Sequence, residues 1–210
     1  RSAKLYAEEI NGGEYNWRRG LCDALAAIAS ENHGNLVWGM AYCNALQANG
    51  HLYEWNQGHI HFTPAESWYQ PSGHVVKMLG EHFQPVVVKT EVTGPRLTVS
   101  LAGERGEENV ESSALVACAA QSRDGKRLAV KVVSLWGGEV STSLTLAGTT
   151  PPAKIAVRAI GSMHLAGRNT VDKQDYIAPH GLAVPAPSGN SILVKLPPMS
   201  FTIIEVQWRD

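Results

Sequence analysis

Leu36-Val37-Trp38-Gly39-Met40-Ala41-Tyr42 is the stretch whose reading decides the fold. It carries no charge and mixes branched, aromatic and small side chains. A nearly continuous apolar strand of this kind is what a buried parallel sheet uses, since helices cover both of its faces. Working back from it, Asn32-His33-Gly34 reads as a helix stop, with Gly34 supplying a left-handed cap. Before that stop, Leu21, Ala24, Leu25 and Ile28 recur at helical spacing, with Arg18 and Asp23 on the other side. Asn11-Gly12-Gly13 is loop chemistry. Ahead of it, Leu5-Tyr6-Ala7 is a short strand running into Glu8-Glu9.

Working forward from Tyr42, a long loop leads to Thr63-Pro64-Ala65-Glu66. A hydroxyl, a proline and a glutamate in that order fit a helix start. Pro71-Ser72 interrupts this helix, and Val75, Leu79 and Phe83 line one face of a second helical piece. The order strand, helix, strand, helix is a βαβα unit. Beyond Gln84-Pro85 the texture changes. Residues 86–88, 96–101, 114–120, 127–136, 139–146, 154–160, 192–196 and 201–208 are short β-rich runs, many alternating, separated by turn residues. Such a series predicts an antiparallel β-sandwich. Its core is expected to include Val87, Val99, Val116, Val130, Val132, Leu144, Val157, Val194 and Ile204.

Two βα units do not close a parallel sheet, and a (β/α)8 barrel needs eight in roughly 250 residues. Residues 1–84 are therefore expected to be the C-terminal part of a TIM barrel, and residues 85–210 the sandwich. A chain that opens almost directly on a strand suggests a cleavage point or subunit boundary before Arg1. A complementary chain is then expected to carry the rest of the barrel.

The composition narrows the function. The 210 residues hold 18 Lys+Arg against 19 Asp+Glu. A net charge near zero offers no field for nucleic acid or an anionic membrane surface, so neither is an expected partner. No apolar run approaches the ~20 residues of a membrane-spanning helix. Cys22, Cys43 and Cys118 are widely spaced and form no CxxC pair, so they read as buried free thiols. No Asn-x-Ser/Thr acceptor occurs, and no signal-peptide apolar region is visible, which leaves the compartment unassigned. His59-Ile60-His61 offers two imidazoles at metal-pair spacing, but nothing else has the spacing of a third ligand, so no metal is expected.

Several short segments, in order, resemble the C-terminal half of family-51 glycoside hydrolases, the α-L-arabinofuranosidase family. Glu8-Glu9-Ile10-Asn11 stands where the family ends a barrel strand in an acidic residue or serine, then glutamate, then usually an aromatic. The helix at 20–27, Met40-Ala41-Tyr42, Glu54-Trp55-Asn56, Ile60-His61-Phe62, Arg168-Asn169-Thr170 with Ile177-Ala178-Pro179, and Leu196-Pro197-Pro198-Met199-Ser200-Phe201 are similar to later family segments. Ile10 departs from the usual aromatic. Glu14-Tyr15-Asn16 keeps the glutamate-aromatic-asparagine pattern but has no strand to aim it.

What the resemblance implies is a retaining glycosidase acting on arabinose-containing plant polysaccharides or oligosaccharides. Such an enzyme flanks the scissile bond with two carboxyl groups about 5–5.5 Å apart, one a nucleophile and the other an acid/base. Glu9 is the expected nucleophile. The acid/base glutamate lies on an earlier barrel strand of the family, outside this sequence. Glu8 is not expected to stand in for the acid/base, because neighbouring strand residues point to opposite faces. Tyr42, Asn44 and Trp55 fall at or beyond the next strand end and are expected to line the sugar pocket. The chemistry needs no cofactor. Two other readings are an endo-β-1,4-glucanase of the same family and a non-catalytic carbohydrate-binding or accessory subunit. The last would be indifferent to Glu9→Ala and would want aromatic platforms on the sandwich, where only Trp136 and Trp208 fall.

Overall fold

A computed structural model of the chain describes residues 4–50, 57–103, 106–147 and 151–208. Strand β1 (Leu5–Ile10) is followed by helix α1 (Trp17–Asn32) and strand β2 (Val37–Tyr42), and β1 and β2 pair in parallel. The Asn16 side chain caps α1 by accepting from the Arg19 N–H at 3.3 Å. Trp17, Leu21, Ala24 and Ile28, at helical spacing, form its buried apolar stripe. The helix ends on His33, whose N–H closes onto the Ala29 carbonyl. Gly34 is not in the left-handed region, so the expected glycine cap is absent.

The segment expected to open a second helix at Thr63 is instead a turn inside a small sheet. Strand β3 (Leu46–Ala48) runs parallel to β4 (Ile60–Phe62), which pairs antiparallel with β5 (Ser67–Tyr69). Thr63 Oγ1 accepts from the N–H groups of Ala65 and Glu66, both at 3.2 Å. A hydroxyl offered to nearby amides serves a turn as readily as a helix start. Helix α2 (Pro71–Glu81) begins at Pro71, the residue expected to interrupt it. Proline is well placed at a first helical position, where its missing N–H costs nothing.

The remainder is β structure: β6 (Val86–Val88), β7 (Arg96–Gly103), β8 (Gly106–Ser113), β9 (Leu115–Gln121), β10 (Arg127–Ser134), β11 (Val140–Thr145), β12 (Lys154–Gly161), β13 (His180–Leu182), β14 (Ser191–Leu196) and β15 (Ser200–Gln207). A six-stranded sheet in the order β13-β12-β15-β10-β9-β6 is antiparallel throughout. Alternation along its strands makes two cores. Leu128, Val130, Val157, Ile204 and Val206 face the paired strands β11 and β14, which contribute Ile192, Val194 and Leu196. On the other face Cys118, Val133, Ile160, Phe201 and Ile203 pack against α1 and α2. Strand β10 is buried on both sides, which is why it reads as an almost unbroken apolar run.

Five of the nine expected core residues are fully buried: Val130, Val132, Val157, Val194 and Ile204. Val116 and Leu144 are half-buried against the two cores. Val87 and Val99 are 45% and 38% exposed, against expectation. Val87 lies on edge strand β6, and Val99 on the β7–β8 hairpin, which forms a sheet of its own. Lys131 of β10 is wholly buried and ion-paired with Glu31 of α1, whose other oxygen accepts from Cys118 Sγ at 3.2 Å. Cys118 is buried as expected, but Cys43 is half-buried and Cys22 exposed, because Cys22 lies off the apolar stripe of α1.

Helix gives way to strand at Gln84-Pro85, yet the core does not divide there, since α1 and α2 lie directly on the six-stranded sheet. Two strands, β1 and β2, supply the parallel sheet, and neither has a second partner among the described residues. No described helix is long and apolar enough to cross a membrane.

Candidate active site

The C-terminal ends of β1 and β2 bring the expected residues to one end of the parallel pair. Ala7 stands opposite Met40 and Ile10 opposite Tyr42, so two residues of β1, Glu8 and Glu9, face one residue of β2, Ala41. This is a bulge, and it changes the expectation for Glu8. Strict alternation would send the two carboxylates to opposite faces, but the extra residue lets both share the position across from Ala41. Both are solvent-exposed, and neither has a hydrogen bond or ion pair among the described residues. Glu14 lies off the strand, in the loop before α1, where its carboxylate accepts from Asn16 Nδ2 at 3.3 Å.

Tyr42 is turned to the helix. Its hydroxyl donates to the Asp23 carbonyl at 3.0 Å, and burial raises its pKa above that of a free phenol. Asn44 follows a cis Cys43–Asn44 peptide and is half-buried, and its carbonyl accepts from the His59 N–H at 2.9 Å. Trp55 lies outside the described residues.

Beneath these strand ends is a buried polar network that sequence reading missed. Asp23, expected on the polar side of α1, is completely buried, and so is Arg19. Arg19 Nε donates to Asp23 Oδ2 at 3.4 Å, and its two terminal nitrogens donate to the carbonyls of Gly13, Cys43 and Gln57. One of them also meets His59 Nε2 at 3.2 Å. A guanidinium has no acceptor, so that imidazole nitrogen must be the unprotonated one. His59 Nδ1 then carries the hydrogen and donates to Ser72 Oγ at 3.1 Å.

Burial and the Arg19 charge hold the His59 pKa down at about 4. Burial pushes Asp23 up to about 6 against the pull of Arg19, and its Oδ1 has no hydrogen-bond partner. His61 packs elsewhere, 4.6 Å from the Tyr15 ring and 6.0 Å from Trp68 by centroids, so the two imidazoles of His59-Ile60-His61 serve separate neighbourhoods. Gly73 of α2 is required here, because a Cβ on it would overlap the His59 carbonyl.

A parallel strand pair, with two carboxylates near the end of β1, is joined through helices to an antiparallel sheet, which makes this an α/β-plus-β protein. The α-L-arabinofuranosidase C-terminal domain model matches residues 2–200, so the chain belongs to that family. Among solved structures it is similar to the thermostable GH51 α-L-arabinofuranosidase of Thermotoga petrophila RKU-1, at TM-score 0.81 and 17% identity over 97% of this chain. The arabinose complex of the Thermotoga maritima α-L-arabinofuranosidase gives TM-score 0.79, 17% identity and the same 97%. The GH51 arabinofuranosidase of Xanthomonas axonopodis pv. citri gives 0.78, 16% and 97%. The chain spans 43%, 43% and 41% of these three proteins. No curated protein matches it in sequence. The resemblance to the C-terminal portion of family-51 glycoside hydrolases is thereby confirmed, and the chain is an arabinofuranosidase-like domain of that glycoside hydrolase family.

Proposed function

We propose that this chain is the nucleophile-bearing portion of a retaining α-L-arabinofuranosidase acting on arabinose-containing plant polysaccharides or oligosaccharides, with Glu9 as nucleophile. The observation that carries the reading is the position of Glu9. It is an exposed carboxylate, with no ion pair among the described residues, at the C-terminal end of a parallel strand, where barrel enzymes hold catalytic groups on a rigid element. Asn44, from the next loop, contributes to the pocket wall, Tyr42 supports it from the helix side, and Trp55 is the further substrate-contacting residue we propose. The accessory-subunit reading has less behind it, since Trp208 packs against the sandwich core and leaves no paired aromatic platform with Trp136.

The acid/base glutamate comes from a complementary segment that also supplies the remaining barrel strands. Support comes from the apolar surface this chain leaves open. Trp38 of β2 is 79% exposed, and a cleft of about 790 Å³ between β2, α1 and α2 is lined by Val37, Trp38, Met40, Leu79 and Phe83. An exposed apolar strand edge of this kind pairs with other strands or aggregates. The joint is expected to bury well over ~2,000 Å².

The test is turnover of an aryl α-L-arabinofuranoside by the assembled protein. Glu9→Gln is expected to abolish it while ligand still binds, and Glu8→Gln to leave most of it. The reverse pattern would move the nucleophile to Glu8. Full activity in Glu9→Gln, or activity from a monomeric, soluble 210-residue chain alone, would overturn the reading.

A further inference from the structure

We infer that Arg19 is a positioning residue that holds the loop ends around Glu9 and Asn44 in one frame, an inference that rests on the reading of Glu9 as nucleophile. The guanidinium reaches that frame from inside α1. Its acceptors are the carbonyls of Gly13, just beyond β1, of Cys43, the first residue after β2, and of Gln57, two residues before His59. These three segments are far apart in sequence, and each lies just outside the strand pairs β1–β2 and β3–β4. Backbone contacts between them run from Cys43 N–H to the Ile10 carbonyl at 3.1 Å and from His59 N–H to the Asn44 carbonyl at 2.9 Å. The Arg19 fork ties together the backbone that those bonds leave loose.

The site is built for an arginine. Five N–H donors in a fixed plane can serve several carbonyls at once, which a lysine ammonium on a flexible stem cannot. A buried cation is tolerated only when its charge and its donors are satisfied. Asp23, one helical turn on, supplies the charge, and its own burial is complete. His59, with its free lone pair toward Arg19 and its hydrogen toward Ser72, passes the constraint to the first turn of α2. Gly12 leaves room for the arginine stem, since a Cβ there would stand 3.2 Å from Arg19 Cγ. None of these groups is at the reacting centre. Arg19 acts through the backbone.

The experiment uses the full assembled protein and two variants, Arg19→Met and Arg19→Lys. Arg19→Met leaves the Asp23 carboxylate without its partner and can fail to fold, whereas Arg19→Lys keeps the charge and removes the fork. Two readouts are taken. Amide hydrogen exchange of Cys43, His59 and Ile60 is expected to be about tenfold faster in Arg19→Lys, with the amides of β10 and β15 unchanged. The kcat on an aryl arabinofuranoside is expected to fall about 100-fold with little change in KM, as a misplaced reacting geometry gives. Unchanged exchange at those three amides overturns the inference. Equal acceleration of all amides also overturns it, because Arg19 would then serve global stability. A kcat within a few-fold of the parent protein, with the loop amides loosened, overturns the positioning role while leaving the holding role. If the parent protein itself shows no turnover, the proposed function falls, and the exchange measurement alone decides whether Arg19 holds the loops.

Discussion

Asn169 offers the sharpest test of how the two parts of the chain are joined. It lies between β12 and β13, is 1% exposed, and its side chain is fully occupied. Asn169 Oδ1 accepts from the Ile177 N–H at 2.8 Å, and Nδ2 donates to the carbonyls of Tyr69 at 2.8 Å and Ile177 at 3.1 Å. Its backbone is clamped by Gln70, whose amide donates to the Asn169 carbonyl at 2.9 Å and accepts from the Asn169 N–H at 3.1 Å. Asn169→Ala removes three buried bonds and leaves the Ile177 N–H with no acceptor. An unpaired buried group costs about 1–3 kcal/mol, and each lost bond that is not orphaned costs about 1 kcal/mol. The expected loss is therefore about 3–5 kcal/mol, a large share of a typical ~5–15 kcal/mol stability. Urea denaturation of the full protein, followed by tryptophan fluorescence, measures it. Trp68 is a local reporter, since its indole donates to the Asn169 carbonyl at 3.4 Å. A loss under about 1 kcal/mol at unchanged urea sensitivity would refute the reasoning, since it would mean that water or a backbone shift satisfies Ile177 at little cost.

Ile204→Ala, at 2% exposure between β10 and β12, is expected to cost about 2–5 kcal/mol in the same assay. Gly73→Ala should destabilise despite the higher helix propensity of alanine, because the His59 carbonyl occupies the space of the new methyl; a gain in thermal midpoint would contradict that packing. His61 is 3% exposed, and burial, then the Arg168 charge, lower its pKa to about 4. A histidine whose neutral form is favoured on folding contributes stability that is complete above its unfolded pKa near 6.5 and is lost as pH falls toward 4. The contribution is bounded at about 3 kcal/mol, and His61→Phe should flatten the acid limb of stability between roughly pH 6.5 and 4. An unchanged acid limb would show that His61 titrates as an ordinary histidine.

The sequence was most legible where one periodicity and one burial face coincided. The apolar spacing of Leu21, Ala24 and Ile28 located α1, and the uncharged run ending at Tyr42 located β2, because each segment's own pattern carries the signal. Burial of Arg19 and Asp23 was not legible. They lie on the side of α1 away from the apolar stripe, and on an ordinary surface helix that side meets water. Here it meets carbonyls contributed by Gly13, Cys43 and Gln57, and no local pattern announces a partner that far along the chain. The trace left in the sequence was an Arg–Asp pair four residues apart, which surface helices also carry. Strands β3 and β5 were missed because three residues are too few to show alternation. Strand β8, Gly-Glu-Glu-Asn-Val-Glu-Ser-Ser, was missed because among the described residues it pairs with β7 alone, so no hydrophobic alternation was required of it.

The candidate nucleophile shows the same division between pattern and geometry. A glutamate at a strand end carries no signature apart from the resemblance, so composition and spacing alone would leave Glu8 and Glu9 as two solvated carboxylates. The resemblance picks Glu9, and alternation keeps Glu8 from standing in for the missing acid/base on the assumption of a regular strand; the bulge between Ala7 and Ile10 removes that assumption. Bulges re-aim side chains next to active sites, and this one sets two adjacent residues of β1, Glu8 and Glu9, against Ala41 alone. If Glu9 is the nucleophile, Glu8 must either stay solvated in the assembled protein or find a partner in the complementary segment. Glu8→Gln therefore carries a second expectation beyond retained turnover. A solvated Glu8 leaves the thermal midpoint of the assembled protein unchanged in that variant, since surface substitutions rarely move stability by more than about 0.5 kcal/mol. A lower midpoint with turnover retained would place a partner for Glu8 across the joint. A loss of turnover as large as that of Glu9→Gln would overturn the choice of Glu9.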